Sequence, residues 1–194
     1  MKKILLFGAL LALQACAKPE VAPNVDLALM TCDSAFVLAN PMRMEFDPKR
    51  EKIITAMLDE KVRCLAEEGG GRALYQVLAL PDSSAPYIIG VRSIPLAGTI
   101  MAPKTFFLDA DGRPTRTSTH SDFTFRGQTL SSLQRNHDGE KYLVIASDTT
   151  VLGNKVTRIV GEVQQYYGST GAFTFVVYTG TDKTNEILLL PAGP

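Results

Sequence analysis

The segment 104–117, KTFFLDADGRPTRT, contains two strand-like runs separated by a short polar stretch. Aromatic and β-branched residues are enriched on both sides of that stretch, as is typical of β-strands. Asp111-Gly112 at its centre is a dipeptide typical of tight hairpin turns, because glycine readily adopts positive φ. The segment therefore predicts two strands joined by a turn at Asp109 to Gly112.

The same pattern recurs on both sides of this hairpin. Asp138-Gly139 provides a second strong turn signal. The further strand-like runs are ALYQVLAL (73–80), PYIIGVRSI (86–94), FTFRG (123–127), KYLVIAS (141–147), KVTRIVGEV (155–163), AFTFVVYTG (172–180) and EILLLPAG (186–193). Short runs at this spacing favour a mainly β protein over alternating β-α units. We predict an antiparallel β-sandwich of the jelly-roll or Ig-like type.

One helix is expected between residues 48 and 68, near the N-terminus of this domain. Asp47-Pro48 is typical of a helix start, and the glycines from Gly69 onward are typical of a helix end. The apolar residues recur at three- and four-residue steps: Ile54, Met57, Leu58, Val62 and Leu65. Because the glycines follow this segment rather than precede a helix, a phosphate-binding loop is not predicted.

The N-terminus is typical of a secretory signal peptide. Lys2 and Lys3 precede an apolar run that is too short to span a membrane, which needs about 20 apolar residues. The motif Leu13-Gln14-Ala15-Cys16 resembles the bacterial lipobox, in which the cysteine is acylated and becomes the first residue. We therefore expect a signal peptide over 1–15; the alternative is an ordinary secreted protein cut near Ala15.

Acylation of Cys16 would anchor the protein to a membrane through lipid. Residue 17 is alanine rather than the aspartate that resembles an inner-membrane retention signal, so the outer membrane is favoured. Residues 16–30 then form the lipidated cysteine and a proline-containing tether. Residues 31–194 are expected to form a single domain facing the periplasm.

The two other cysteines, Cys32 and Cys64, are predicted to form a disulfide. They form an even pair in an oxidising compartment, where a disulfide is the usual state. The alternative is two free thiols with a catalytic or metal-binding role. Neither cysteine belongs to a C-x-x-C pair, and nothing nearby has metal-ligand spacing, so the disulfide is preferred.

Composition and motifs argue against several function classes. The chain has 20 basic and 20 acidic residues with no basic patch, which argues against nucleic-acid binding. His120 and His137 lie in polar, loop-like surroundings, so neither a metal site nor a cofactor is predicted. Ser121-Asp122 beside His120 is no evidence for a catalytic triad, because triad members meet in space rather than in sequence. Asp109 and Asp111 match only the beginning of a calcium-binding loop.

Several turns and polar runs are candidates for binding a partner, because turns at the ends of a sandwich often carry recognition residues. They are the turn at 109–113, the run 116–122 that begins with Arg116, and the run 166–170 that begins with Tyr166 and Tyr167. The alternative is that each is a solvated turn. For the tyrosine pair, the alternative is one ring packed inward and one ring exposed.

Six segments occur in an order that resembles a known family. They are TCDSAF (31–36), MEFDP (44–48), GGGRALYQVLALP (69–81), PYIIGVRSIPL (86–96), MAPKTFFLDADGRPTRT (101–117) and KYLVIASD (141–148). In this order they resemble the maltose-operon periplasmic protein (MalM) family, over about Thr31 to Asp148. The resemblance implies a non-catalytic periplasmic or envelope protein, and it supplies no catalytic residues.

The function expected from these observations is a non-catalytic binding or accessory module of an envelope system. It would be an outer-membrane-anchored periplasmic lipoprotein whose partner is a saccharide or an envelope protein. The absence of tryptophan makes a saccharide less favoured, because sugar-binding faces commonly use aromatic rings for stacking. The alternative is a lipoprotein hydrolase that acts on glycan or peptidoglycan. No motif singles out a catalytic pair of carboxylates.

Overall fold

The computed structural model describes residues 25–96, 98–160, 162–169 and 173–180. Within these ranges the protein is mainly β, as predicted, and helices are confined to 3-10 turns at Leu27–Leu29, His120–Asp122 and Thr149–Val151. The strands are β1 (Met42–Arg43), β2 (Lys52–Leu58), β3 (Arg63–Ala66), β4 (Arg72–Ala79), β5 (Ile88–Ser93), β6 (Thr99–Ile100), β7 (Pro103–Leu108), β8 (Pro114–Ser118), β9 (Thr124–Arg126), β10 (Thr129–Arg135), β11 (Tyr142–Ser147), β12 (Lys155–Val160), β13 (Glu162–Gly168) and β14 (Phe173–Gly180).

The described strands form three sheets. The six-stranded sheet has the order β1-β4-β11-β7-β8, with β3 also paired to β4. The five-stranded sheet has the order β2-β14-β5-β10-β9, and the smallest sheet has the order β12-β13-β6. Pairing is antiparallel except for β1 with β4 and β13 with β6. Most neighbouring strands are therefore connected in the antiparallel manner that the turn signals indicated.

The six- and five-stranded sheets share one hydrophobic core. Leu143 and Ile145 of β11 belong to the same buried cluster as Val91 of β5 and Phe175 and Val177 of β14. Complete burial of each such side chain stabilises the fold by about 1.5–3 kcal/mol relative to exposure. Strands of both sheets therefore contribute side chains to one buried cluster.

A second cluster lies on the other face of the six-stranded sheet. Tyr75 of β4 and Val144 of β11 are buried there, and the partly buried Phe36 and Leu38 pack against them. The segment before β1 therefore covers the outer face of this sheet. Because β4 and β11 are covered on both faces, they are apolar on both faces rather than alternating with polar residues.

The prediction of a helix over residues 48–68 is wrong, because this segment contains β2 and β3. β2 pairs with β14 along its whole length. Ile54, Ala56 and Leu58 face inward at two-residue steps, whereas Ile53 and Met57 are exposed. The β-branched run Ile53 to Thr55 suits a strand, and the ladder with β14 satisfies its backbone groups.

The signals taken for helix ends lie in turns. The Asp47 carboxylate accepts a hydrogen bond from the Lys49 amide at 2.9 Å, and the Arg50 amide donates to the Asp47 carbonyl at 3.3 Å. Gly69 and Gly70 have φ values of 87° and 86° in the turn between β3 and β4. Asp47 therefore stabilises a turn and does not begin a helix. The glycines form the turn of a β-hairpin, where the chain reverses direction, and do not end a helix.

Both predicted hairpin signals are confirmed as turns. Gly112 lies between β7 and β8 with φ 80°, and Gly139 lies between β10 and β11 with φ 86°. β10 did not stand out in the sequence because Ser131, Ser132 and Gln134 make it polar, although these side chains are buried.

The remaining predicted segments lie partly or wholly outside the described residues. Within the predicted strand at 155–163, residues 155–160 form β12 and residues 162–163 begin β13. The run 186–193, the signal peptide over 1–15 and Cys16 lie outside the described residues. Within the described ranges, no helix combines the length and the apolar character needed to cross a membrane.

Candidate functional site

The predicted disulfide between Cys32 and Cys64 is confirmed. It joins the segment before β1 to β3. The Asp33 amide donates to the Cys64 carbonyl at 2.7 Å, and the Ala66 amide donates to the Asp33 carbonyl at 2.8 Å. The disulfide and these two hydrogen bonds therefore hold residue 33 beside β3.

Tyr75 holds the next few residues against the six-stranded sheet. Its hydroxyl donates to the Asp33 carboxylate at 2.9 Å and accepts a hydrogen bond from the Val37 amide at 3.1 Å. Burial is the main factor that raises the pKa of Tyr75, so its hydroxyl keeps the proton that it donates. The Phe36 ring packs edge-on against the Tyr75 ring at 5.3 Å. Residues 33–38 are thus laid across the outer face of the sheet.

A groove of about 810 Å³ lies beside this segment. It is lined by residues 34–36 and Leu38, by residues of β3 and the β3–β4 turn, by the β7–β8 hairpin and by the beginning of the 3-10 turn at Thr149. Pockets for small molecules in proteins commonly measure about 300–1,000 Å³. The groove is therefore large enough to hold a ligand, and we take it as the candidate binding site.

The floor of the groove is aromatic and its inner wall is polar. The rings of Phe36 and Phe106 lie 4.9 Å apart, and the Lys104 ammonium lies 5.2 Å from the centre of the Phe106 ring. Lys104 also forms an ion pair with Glu67 at 3.1 Å, and the other oxygen of Glu67 accepts a hydrogen bond from the Thr149 hydroxyl at 2.8 Å. The groove thus offers an apolar surface beside a paired carboxylate and ammonium.

The rim of the groove is acidic. Glu68 and Asp111 line it and are exposed. Asp111 forms an exposed ion pair with Arg113 at 3.3 Å. The charged side chains that line the groove are therefore Glu67, Glu68 and Asp111 against Lys104, which leaves an excess of negative charge.

Arg116, a predicted binding residue, lies on β8 but does not line this groove. Its guanidinium stacks over the Phe107 ring at 3.6 Å and forms hydrogen bonds with both carboxylate oxygens of the buried Glu140 at 2.6 Å and 3.1 Å. It also donates to the Gln134 side chain at 3.3 Å and to the Arg135 carbonyl at 2.7 Å. Its hydrogen-bonding capacity is mostly used within the protein, and its binding role stays a prediction.

The tyrosine pair adopts the alternative arrangement described above. Tyr166 is buried and stacks on Phe125 at 5.5 Å, whereas Tyr167 is 50% exposed. The Lys155 ammonium lies 6.0 Å from the centre of the Tyr167 ring. Neither tyrosine lines the groove, and their role in binding stays a prediction.

The turn at 109–113 contributes to the groove through Asp111 and Gly112. One oxygen of the Asp109 carboxylate accepts hydrogen bonds from the Asp111 and Arg113 amides, each at 2.9 Å, so this carboxylate stabilises the turn.

Across the described part of the chain, no group of three or more His, Cys, Asp or Glu side chains is arranged to hold a metal ion.

His120 contacts Asp148 rather than a nucleophile. Its Nδ1 lies 2.9 Å from an oxygen of the buried Asp148 carboxylate. Burial opposes ionisation of Asp148, but hydrogen bonds from Thr150 and His120 outweigh it and lower the pKa of this carboxyl. The Ser121 hydroxyl instead pairs with the Thr119 hydroxyl at 2.7 Å. The neighbours Ser121 and His120 thus do not form a nucleophile–base pair.

Apart from the turn at 109–113, the sequence did not indicate the residues that build the groove. Phe36, Glu67, Lys104 and Phe106 belong to three distant segments of the chain, and no local motif links them. One signal was present: Phe106 and Phe107 are consecutive apolar residues in a strand, which indicates that both faces of the sheet are covered. The covering segment itself is visible only in the fold.

No family model, curated protein or solved structure matches this chain. The resemblance to the maltose-operon periplasmic protein family therefore stays a prediction.

Proposed function

We propose that the protein is an outer-membrane lipoprotein, anchored through Cys16, whose domain faces the periplasm and binds an envelope protein or a saccharide without catalysing a reaction. The groove on the six-stranded sheet is the binding site. The single observation that carries the proposal is this groove, in which an aromatic floor adjoins an ion pair.

The arrangement of the sheets supports a β-sandwich of the jelly-roll or Ig-like type as the scaffold. The two larger sheets contribute to one buried cluster, and their strands are mainly antiparallel. A sandwich holds its surface segments on a rigid framework, which suits a site for recognition. The disulfide adds rigidity beside the groove, because it fixes Cys32, which lies two residues before the lining residue Ser34.

The side chains of the groove suit binding better than chemistry. Glu67 is held by Lys104 and by the Thr149 hydroxyl, so its carboxylate already has partners. An activated nucleophile or a general base normally lies within hydrogen-bond reach of the group with which it exchanges a proton. The pairing of Glu67 instead gives the groove a fixed polar wall against which a ligand can be oriented.

A substitution that fills the groove tests the proposal. Ala35 is exposed and lines the groove, so Ala35→Trp places a large ring in it without removing an internal contact. The matched control is Ala39→Trp, because Ala39 is exposed in the same segment but does not line the groove. Full-length protein in a non-ionic detergent is immobilised, and the retention of peptidoglycan fragments and of envelope proteins is measured.

We expect Ala35→Trp to lose binding that the wild type and Ala39→Trp retain. Equal retention by all three proteins would contradict the assignment of the groove. Turnover of an oligosaccharide or of peptidoglycan, abolished by substitution of one carboxylate, would replace the binding function with the hydrolase alternative.

A further inference from the structure

We propose that the groove binds an extended segment of a partner protein in which an apolar side chain lies next to basic side chains. This inference rests on the proposed function, because it names the class of ligand for the same groove. Three properties of the groove support it: the type of aromatic residue in its floor, the sign of its charge, and the hydroxyl groups along it.

The floor favours an apolar side chain. Its two aromatic residues, Phe36 and Phe106, have no polar edge group, unlike the tyrosine and tryptophan that commonly contact sugar hydroxyls. Both rings are partly buried, and they form a continuous surface with the partly buried Leu38. A leucine or phenylalanine side chain of a partner would bury apolar area on this surface.

The charge of the groove favours a basic ligand. Glu67 is paired with Lys104 and Asp111 with the exposed Arg113, whereas Glu68 adds a further exposed carboxylate to the rim. Carboxylates therefore still exceed cations around the groove by one charge. Partner surfaces tend to carry complementary potential, since like charges placed opposite each other oppose association. A lysine or arginine on either side of the apolar anchor would therefore be attracted to this rim, whereas an anionic saccharide or a phosphate group would be repelled.

Polar groups suited to a peptide backbone lie along the same groove. Ser34 and Thr150 line it and are exposed. The Ser34 hydroxyl can both donate and accept a hydrogen bond, as the carbonyl and amide groups of a peptide require. The Thr150 hydroxyl donates its proton to the Asp148 carboxylate at 2.6 Å, so it can accept a hydrogen bond from a peptide amide. A peptide thus combines the apolar, basic and hydrogen-bonding groups that match the groove.

The test compares two matched peptides on full-length protein in a non-ionic detergent. The first is a capped pentapeptide with a central leucine and two lysines on each side of it. The second has the same central leucine with two glutamates on each side. An uncharged disaccharide of N-acetylglucosamine is the third probe. We expect the lysine peptide to bind at least about tenfold more tightly than the glutamate peptide, and added salt to weaken its binding because the rim charges are exposed.

Charge-neutralising variants test whether the rim carboxylates cause the preference for the lysine peptide. Glu68→Gln and Asp111→Asn should each weaken binding of the lysine peptide about two- to fivefold, as expected for exposed charge pairs. The control is Asp138→Asn, since Asp138 is exposed on a different hairpin turn and does not line the groove. Its affinity for the lysine peptide should match that of the wild type.

Two outcomes would overturn the inference: equal or absent binding of the two peptides, or unchanged affinity in both rim variants. If Ala35→Trp blocks the disaccharide or peptidoglycan while neither peptide binds, the inference fails and the proposed function stands. If Ala35→Trp changes the binding of no probe or envelope component, the proposed function fails as well.

Discussion

At the scale of the residue, the internal contacts of a side chain decide whether it is free to bind a ligand. Arg116 illustrates this, because its position in a polar run suggested recognition, whereas its guanidinium is engaged within the protein. It contacts Glu140, Gln134 and Arg135, of which Gln134 and Arg135 belong to the other large sheet. Arg116 thus links β8, at the edge of the six-stranded sheet, to β10 of the five-stranded sheet.

We expect Arg116→Ala to destabilise the protein by about 2–4 kcal/mol. The substitution removes four hydrogen bonds and leaves the Glu140 carboxylate, whose side chain is 2% exposed, without its cation. The free energy of unfolding, measured with urea, tests this expectation.

The control for this experiment is Arg113→Ala. Arg113 forms an exposed ion pair with Asp111, so its loss should cost no more than about 1 kcal/mol. A melting temperature and a free energy of unfolding that stay unchanged in Arg116→Ala would contradict the structural role.

At the scale of the element, the strands that alternate or that end in glycine turns were predictable, whereas β2 was not. Ile54, Met57 and Leu58 fit a helical period, but Ile54, Ala56 and Leu58 fit a strand equally well. Local sequence does not separate these two patterns. The ladder with β14 decided between them, because it satisfies the backbone of β2 and brings Leu58 into the core.

The disulfide is the element-scale feature whose removal we expect to have the largest effect. It closes a separation of 32 residues and fixes the wall of the groove to β3. Replacing Cys32 and Cys64 together by serine should lower the free energy of unfolding by about 2–5 kcal/mol. Amide exchange at Val37 and Ala66, measured by hydrogen exchange, should become faster because their hydrogen-bond partners lose that support.

Reduction of the wild type provides the control for this prediction. Reducing agent should destabilise the wild type by a similar amount and should leave the double serine variant unchanged. A wild type that unfolds at the same urea concentration with and without reducing agent would show that the bond adds no stability.

At the scale of the whole molecule, the proposed function depends on where the domain is held. We expect Cys16 to be acylated and to be the first residue of the mature protein. The membrane-extracted wild type should show the added mass of lipid by intact mass spectrometry, whereas Cys16→Ser should be recovered in the soluble fraction. Wild type and variant that are both soluble, with unmodified mass, would exclude the anchor.

The sequence by itself determined the mainly β class, the turns at Gly112 and Gly139, and the pairing of Cys32 with Cys64. Each of these depends on local chemistry or composition: strand-forming side chains, the positive φ that glycine permits, and the small number of cysteines in the chain. Such signals act between neighbouring residues or follow from composition, so they can be recognised without knowledge of the fold.

The tertiary structure alone decided that residues 52–58 form a strand, that Arg116 is engaged internally, and that a groove exists. The groove brings Phe36, Glu67 and Phe106 together from segments far apart in the chain. Their proximity follows from the order of the strands in the six-stranded sheet and from the segment that covers its outer face. Long-range pairing of this kind is set by the burial of the whole core, which no local pattern encodes.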